Sequence, residues 1–312
     1  MTPVRSAVVG VGYLGRFHAQ KYKALETAGL SKLVAVCDSS EARAAEIGKE
    51  LGVPALTDYR QLIGKVDAVS VAADTSVHHE VAKFFLQNGI HVLVEKPIAA
   101  TSAEAEELVA LSEEKDLVLQ VGHIERFSPP FRLASQNATA PLSLEFQRMA
   151  PFGPRSNARV DVVVDLMIHD LDLALCLDPS PVRTVAAWGW SLATPLTDVA
   201  IAHLNFESGM VASFTASRVA PSLIRRMHLV QEGSTIAVDF ASLTYDICRA
   251  RVGEPPAVES QKFEKTDALL AEVESFLRAV GDGQKIAVTG RAGTEALRLA
   301  EKIVELINAS RE

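Results

Sequence analysis

The chain has 312 residues, 48% of them hydrophobic, with 31 Lys and Arg against 39 Asp and Glu for a net charge of −8. That size and mix suit a soluble globular protein of one large or two ordinary domains. The basic residues form no block, which argues against nucleic acid as a partner, and no apolar run is long enough for a membrane span.

Met1-Thr2-Pro3-Val4-Arg5 leads straight into a strand pattern, without the features of a signal peptide. Cys37, Cys176 and Cys248 lie far apart, lack metal-ligand spacing and sit in apolar neighbourhoods. They read as small core residues, and a reducing cytoplasm is expected.

The first 121 residues alternate strand and helix patterns. Val4 to Gly10 is an apolar run closing on glycine, Tyr13 to Ala28 reads as helix, and Lys32 to Asp38 is a buried strand ending on an acid. Glu41 to Leu51 is helical, Val66 to Ala72 is the third strand, and Val77 to Asn88 is a helix with Gly89 as its C-cap. Ile90 to Glu95 is the fourth strand. Thr101 and Glu104 form a capping box for the next helix, and Leu117 to Val121 is the fifth strand. Strands that are apolar throughout, separated by helices, predict a parallel sheet covered on both faces.

After Gly122 the pattern changes. Residues 142–149 read as strand and 160–177 as helix, followed by strands near 182–193, 197–206, 210–219, 225–231, 234–239 and 243–249. Turn signals such as Glu207-Ser208-Gly209 and Glu232-Gly233-Ser234 join them, which predicts an antiparallel sheet. Leu269, Leu270, Val273, Phe276, Leu277 and Val280 form a helical stripe stopped by Gly281, and Leu299, Ala300, Ile303, Val304 and Ile307 form another. The fold class expected is α/β. A doubly wound dinucleotide domain spans 1–121 and an α+β domain with a large antiparallel sheet spans 122–312, its last helices able to pack back on the first domain.

Gly10-Val11-Gly12-Tyr13-Leu14-Gly15 follows a strand and opens a helix, the context a dinucleotide fingerprint requires. Gly10 makes the tight turn, Gly12 lets the backbone approach the pyrophosphate, and Gly15 lets helix and strand pack closely. The helix N-terminus offers N–H groups and a positive dipole end to the phosphates. Asp38 closes the second strand about 20 residues further on, where a carboxylate accepts from the adenosine ribose hydroxyls. It would repel a 2′-phosphate, and Ser39-Ser40 supply no cation, so NAD is favoured over NADP. Arg43 is the nearby residue that would serve NADP instead.

Lys96, in Glu95-Lys96-Pro97, follows a strand expected to end at the crevice where ligands sit in open α/β sheets. A lysine after a strand is usually a solvated charge; its placement over the cofactor is what singles it out. Asp165, His169 and Asp172 fall on one helical face in an apolar stretch, while Asp170 points elsewhere. They read either as an acid–base group or as a satisfied Asp–His pair in the core, and no second His or Cys supports a metal. His78 and His79 open the helix after the third strand, either touching the cofactor or capping the helix. Arg126 and Phe127 follow the last parallel strand at the domain junction. Arginine there suits phosphate or carboxylate recognition, or an inter-domain salt bridge. Arg225 and Arg226, at the start of a strand, are more ambiguous.

These residues resemble the Gfo/Idh/MocA oxidoreductases, the sugar and inositol dehydrogenases, over essentially the whole chain. The resemblance rests on Gly10-x-Gly12-x-x-Gly15, Thr75-Ser76-Val77-His78, Glu95-Lys96-Pro97, Asp165-x-x-x-His169-x-x-Asp172, the stretch Ala268 to Val280, and Val288-x-Gly290-x-x-Gly293-x-x-Ala296-Leu297. It implies a Rossmann domain and an open-faced antiparallel sheet through which homodimers or homotetramers form. It carries a Lys–Asp–His active site onto Lys96, Asp165 and His169. Cofactor contacts fall on Gly10, Gly12, Tyr13, Leu14, Gly15, Asp38, Thr75, His78, Glu95, Lys96 and Pro97, and substrate contacts on Arg126, Phe127 and Asp172. Two positions depart from the family: Ala73-Asp74 replaces a frequent Thr-Pro, and Met167 replaces a glycine.

Within the family, Gly10 to Tyr22, Val121 to Phe131 and Val162 to Leu173 are similar to the UDP-N-acetylglucosamine 3-dehydrogenases of lipid A synthesis. That similarity implies oxidation of a sugar 3-hydroxyl to a ketone, with a PLP-dependent aminotransferase as the next enzyme. His169 would take the hydroxyl proton, Asp165 would orient it, and Lys96 would stabilise the alkoxide. Lys96 and His169 could exchange roles, because desolvation and a neighbouring cation lower a lysine's pKa. The competing readings are another sugar or inositol dehydrogenase, an NAD-dependent glycosidase, and a non-catalytic sensor of NAD and sugar.

Overall fold

The apolar runs of the N-terminal half form a sheet of six parallel strands. The computed structural model describes residues 2–153 and 159–310 and divides the chain into two units, 1–124 with 267–295 and 125–266 with 296–312. The first unit runs β1 (Val4–Val9), α1 (Tyr13–Leu25), β2 (Ser31–Cys37), α2 (Glu41–Leu51), β3 (Ala55–Leu56), β4 (Ala68–Val71), α3 (His78–Gln87), β5 (His91–Glu95), α4 (Ser102–Glu114) and β6 (Leu119–Gly122). The strand order is β3-β2-β1-β4-β5-β6, so the chain switches direction across the sheet beside β1. The two-residue β3 is too short to leave a periodic signal in the sequence.

Local chemistry sets the element ends. Thr101 Oγ1 accepts from the Glu104 N–H (3.2 Å) and the Glu104 carboxylate accepts from the Thr101 N–H (3.3 Å), the capping box expected for α4. α3 ends at Gln87, and Gly89 just beyond adopts φ +74°, which only glycine takes without strain.

The second unit runs α5 (Pro129–Asn137), β7 (Pro141–Met149), a π-helical turn (Val163–Met167), α6 (Ile168–Leu177), β8 (Val182–Trp190), β9 (Val199–Phe206), β10 (Val211–Ser217), β11 (Ile224–Gln231), β12 (Ser234–Asp239), β13 (Thr244–Arg249) and β14 (Ala257–Lys262). Its eight-stranded sheet has the order β14-β13-β12-β11-β7-β10-β9-β8. The sheet is antiparallel as expected except at one pair: β7 runs parallel to β10. No tight turn dictates the direction of β7, because α6, β8 and β9 intervene before β10 and provide the crossover a parallel pair needs. Leu144 and Phe146 alternate inward along β7, and Phe146 stacks on Phe214 at 5.3 Å between ring centres.

Two helices end the chain, α7 (Ala268–Asp282) and α8 (Gly290–Ala309). α7 belongs to the first unit, where Val273, Phe276 and Leu277 join Val4, Val8, Tyr22, Leu25 and Leu93 in one core. Full burial of each such side chain contributes about 1.5–3 kcal/mol. The expected stop at Gly281 is corrected: the helix runs through it and ends where Gly283 takes φ +65°. Among the described residues, no helix is long and apolar enough to cross a membrane.

Among the glycines of the first unit the tightest position lies in the fingerprint, where a Cβ on Gly15 would fall on the Gly10 carbonyl oxygen. Backbone cannot swing aside as a side chain can, so Gly15→Ala should destabilise the protein by at least about 1–3 kcal/mol. Urea unfolding of the variant beside the wild type measures it.

Candidate active site

β1 ends at the switch point, and the loop after it is shaped for a phosphate. Gly10 has φ +84°, and a Cβ there would meet the Ala73 backbone at 2.5 Å, so β1 and β4 leave room for glycine alone. Gly12 is the N-cap of α1 and provides no side-chain cap, so the first-turn N–H groups have no capping partner from it. A Cβ on Gly12 would meet nothing within 4 Å, leaving open space above the loop. Tyr13 and Leu14 are exposed beside it.

A cavity of about 620 Å³ runs from this loop past Asp38 and Arg43 to Tyr59, Arg60 and Val77. Asp38 is nearly buried, and its carboxylate accepts from the N–H groups of Val11 (3.0 Å) and Ser40 (2.8 Å). Arg43 pairs with the same carboxylate at 3.0 and 3.3 Å. Burial works against the charge, but Arg43 and the two N–H groups outweigh it and hold the carboxyl below its usual range. An anion at the sugar end, orphan N–H groups at the phosphate end and a cleft between them fit a dinucleotide.

Beyond β4, Asp74 caps a short turn over Thr75–Val77 by accepting from the Ser76 N–H (3.0 Å) and hydroxyl (2.7 Å). That is what Ala73-Asp74 provides where the family often has Thr-Pro. His78 is buried, and its ring nitrogens lie 2.9 Å from the Pro97 carbonyl and 3.2 Å from the Ala73 carbonyl. The ring thus lies between the loop after β4 and the loop after β5. His79 lies on the surface, 3.1 Å from Glu107.

Lys96 follows β5 as expected, half-buried, and its peptide bond to Pro97 is cis. The Lys96 N–H donates to Glu95 Oε2 at 3.1 Å, and His18 Nε2 lies 2.8 Å from Glu95 Oε1. His18 was not among the residues singled out in the sequence. It lies four residues before Tyr22 on the buried stripe of α1, and a polar residue on an apolar stripe is a readable signal.

In the second unit, Asp165 lies in the π-helical turn and His169 in the first turn of α6, both half-buried. The Ile168 N–H reaches back to the Val163 carbonyl, widening the helix where these two residues sit. Such single π turns are frequent at functional sites. Asp172 and Arg126 form a two-pronged pair, Nε–Oδ2 2.7 Å and Nη2–Oδ1 2.6 Å, with Asp172 fully buried. Phe127 is also buried. Arg126 thus answers an internal carboxylate, the salt-bridge reading of that residue, though within its own unit.

Arg148 is a buried cation that the sequence reading passed over, although it follows Leu144 and Phe146 on the inward face of β7. Its guanidinium binds Asp170 at 2.7 and 3.0 Å and Glu125 at 2.8 Å. Burial opposes its charge, but these carboxylates prevail and hold it protonated. Arg225 is partly exposed and stands 3.8 Å from Glu125, whereas Arg226 pairs with Asp239 at 2.9 Å.

Comparison with known proteins agrees with this architecture. Residues 4–123 match an oxidoreductase family with an NAD-binding Rossmann fold, and residues 141–237 match a GFO/IDH/MocA C-terminal domain. The chain is 39% identical over 315 residues to UDP-N-acetylglucosamine 3-dehydrogenase of Acidithiobacillus ferrooxidans, covering 99% of each. The chain belongs to the Gfo/Idh/MocA oxidoreductase family. The solved structure of that A. ferrooxidans enzyme matches with a TM-score of 0.93 over 100% of both chains. Scyllo-inositol 2-dehydrogenase (NAD(+)) of Bacillus subtilis is 27% identical over 305 residues, 92% of this chain and 89% of its own. This Gfo/Idh/MocA protein is therefore an NAD-dependent dehydrogenase whose first unit is the NAD-binding domain.

Two expectations follow. Asp38→Ser removes the anion that holds Arg43 and would repel a 2′-phosphate, so KM for NAD should rise about tenfold or more while NADP becomes usable, loss of one good charged contact being worth about 1.4 kcal/mol or more. Steady-state kinetics with both cofactors reads the switch. Arg126→Ala leaves Asp172 buried and unbalanced and should cost about 3–5 kcal/mol in urea unfolding, most of it recovered in Arg126→Met/Asp172→Leu.

Proposed function

We propose that this protein oxidises the 3-hydroxyl of UDP-N-acetylglucosamine to a ketone. The observation that carries the reading is the 39% identity, over nearly the full length of both chains, with a UDP-N-acetylglucosamine 3-dehydrogenase. NAD, held by Gly10, Gly12, Tyr13, Leu14, Gly15, Asp38, Thr75, Glu95, Lys96 and Pro97, supplies the hydride acceptor.

In this reading His169 takes the proton from the hydroxyl as general base. Asp165, four residues earlier, orients the His169 ring. Lys96 places its ammonium against the oxygen as negative charge develops there. The buried Arg126–Asp172 pair holds α6 in place, so Asp172 and Phe127 support the substrate site from behind.

The 3-ketone is a carbonyl suited to transamination, so a PLP-dependent aminotransferase is the proposed next enzyme, on a route to lipid A precursors in the cytoplasm. The open face of the eight-stranded sheet is the proposed contact between copies in a homodimer or homotetramer.

The test is absorbance at 340 nm with NAD and UDP-N-acetylglucosamine, with and without an aminotransferase and glutamate to trap the ketone. NADH should form and should increase with trapping. Lys96→Met and His169→Ala should each lower kcat by about 10²–10⁴-fold, and the variant that removes the base should lose the acid limb of the pH profile. Near-normal turnover in both variants would overturn the assignment of roles. Silence with this sugar but NADH from inositol or a free hexose would overturn the substrate.

A further inference from the structure

Beneath Lys96, three ionisable side chains from three elements of the first unit meet, two of them out of contact with water. His18 of α1, Glu95 of β5 and Glu272 of α7 each offer a ligand atom within 4.8 Å of the others. His18 and Glu272 are 1% and 0% exposed. Glu95 is served by two donors, His18 and the Lys96 N–H. Glu272 has none: both carboxyl oxygens are buried without a hydrogen-bond partner among the described residues.

The donors can be assigned along the chain. An ionised Glu95 only accepts, so His18 Nε2 carries the hydrogen that joins them. His18 Nδ1 then accepts from Ser70 Oγ at 3.3 Å, and Ser70 accepts from the Tyr22 hydroxyl at 2.8 Å. Every donor in the chain is used before Glu272 is reached. A second bare carboxylate beside Glu95, with neither water nor donor, would carry the full cost of a buried charge. A proton on Glu272 removes that charge and turns an acceptor-only group into a donor that Glu95 can use.

We propose that Glu272 holds a proton at neutral pH and shares it with Glu95, which makes it a positioning residue for Lys96. Glu95 then bears a single fixed negative charge at the root of Lys96, clamped by His18 on one side and Glu272 on the other. Only the link to Lys96 as a reacting group rests on the function proposed above; the protonation of Glu272 does not.

The direction of each titration agrees. Burial, then the Glu95 charge, push the Glu272 carboxyl well above the usual carboxylate range. Burial also opposes ionisation of Glu95, but the contact with His18, then that with Lys96, outweighs it and keeps it low. The groups facing Glu272 are His18 and Tyr22 from α1 and Glu95 from β5, while from β6 Gln120 Nε2 donates to the Glu272 backbone carbonyl at 3.2 Å. The other charges at α7 are the Lys21–Asp267 pair (2.7 Å) and Arg278, which meets Glu274 at 2.8 Å and Asp282 at 3.8 Å.

Thermal unfolding against pH tests the proton without any substrate. A carboxyl that is ionised when unfolded but protonated when folded binds a proton on folding, so stability falls as pH rises from about 4.3 toward the folded pKa. Glu272→Gln removes that cost. Its Tm relative to wild type should climb with pH and be at least about 2 °C higher at pH 8.5 than at pH 5. Glu95→Gln should weaken the same dependence without abolishing it, because burial still opposes a charge on Glu272 after the Glu95 charge is gone. A difference that stays flat, or falls with pH, would overturn the proposal. So would about one divalent metal ion per purified chain that is lost in Glu272→Gln. In turnover, Glu272→Ala should lower kcat about tenfold with little change in KM for NAD, and Glu272→Gln should restore most of it; equal loss in both would remove the positioning role. If no sugar is oxidised by the wild type, the reading of function fails and the melts still decide the protonation of Glu272.

Discussion

Glu95 has to stay charged at the end of a strand whose central residues, Val92, Leu93 and Val94, are buried apolar side chains, and several elements of the first unit are shaped by that demand. α1 places His18 against one oxygen, and the chain turns so that the Lys96 N–H meets the other. β6 ends in Gly122, where a Cβ would stand 3.0 Å from the Glu95 carboxylate, so the neighbouring strand gives way to it. α7 returns from the far end of the chain to lay Glu272 alongside. A charge so enclosed is costly unless its partners are fixed, and once they are, the backbone that leads into Lys96 is fixed with them. The direction of the Glu95-Lys96-Pro97 segment is thus set from behind by groups that a ligand in the crevice need not touch.

The second unit applies the same rule to a helix. Asp170 and Asp172 lie two residues apart on α6 and are bound by different arginines, Arg148 from β7 and Arg126 from the segment before α5. Two buried ion pairs on different sides of one helix determine both its height and its rotation. Replacing either pair with apolar residues would preserve most of the stability, but a slippery contact would not fix the angle in the same way. His169 therefore emerges from a helix that cannot turn about its axis, directly after a π-helical turn that widens the backbone at Asp165. In the proposed mechanism position matters more than affinity, since a misplacement of about 1 Å costs about 10²-fold in rate.

Most of the first unit was legible because its signals are local. The glycine fingerprint, the acid that closes β2, the capping box of α4 and the cap at Gly89 are each written within a few residues. What was illegible depends on distant partners. His18 and Glu95 are separated by 77 positions, and nothing near either residue names the other. Glu272 left a faint trace: it stands four residues before Phe276, on the same apolar stripe, where a carboxylate does not belong unless something answers it. Arg148 left a similar trace on β7. The parallel pairing of β7 with β10 and the short strand β3 left none, because register between strands far apart in the chain has no local spelling. For Arg126 the residue type suggested either an outside anion or a salt bridge, and only the fold shows that Asp172 is its partner.

The proposed ligands are anions, yet the chain has a net charge of −8. The first unit meets this by drawing its positive potential from backbone rather than from a basic patch. The uncapped start of α1 presents oriented N–H groups whose charge cannot be titrated away and falls off within one turn. Asp38 at the other end of the same cleft is negative, and the Arg43 beside it is balanced by it. The cleft is therefore attractive where a pyrophosphate would lie, while Asp38, by holding Arg43, withholds that cation from a 2′-phosphate. Side-chain cations spread along the groove would attract both equally, so discrimination between the two cofactors follows from confining the attraction to one helix end.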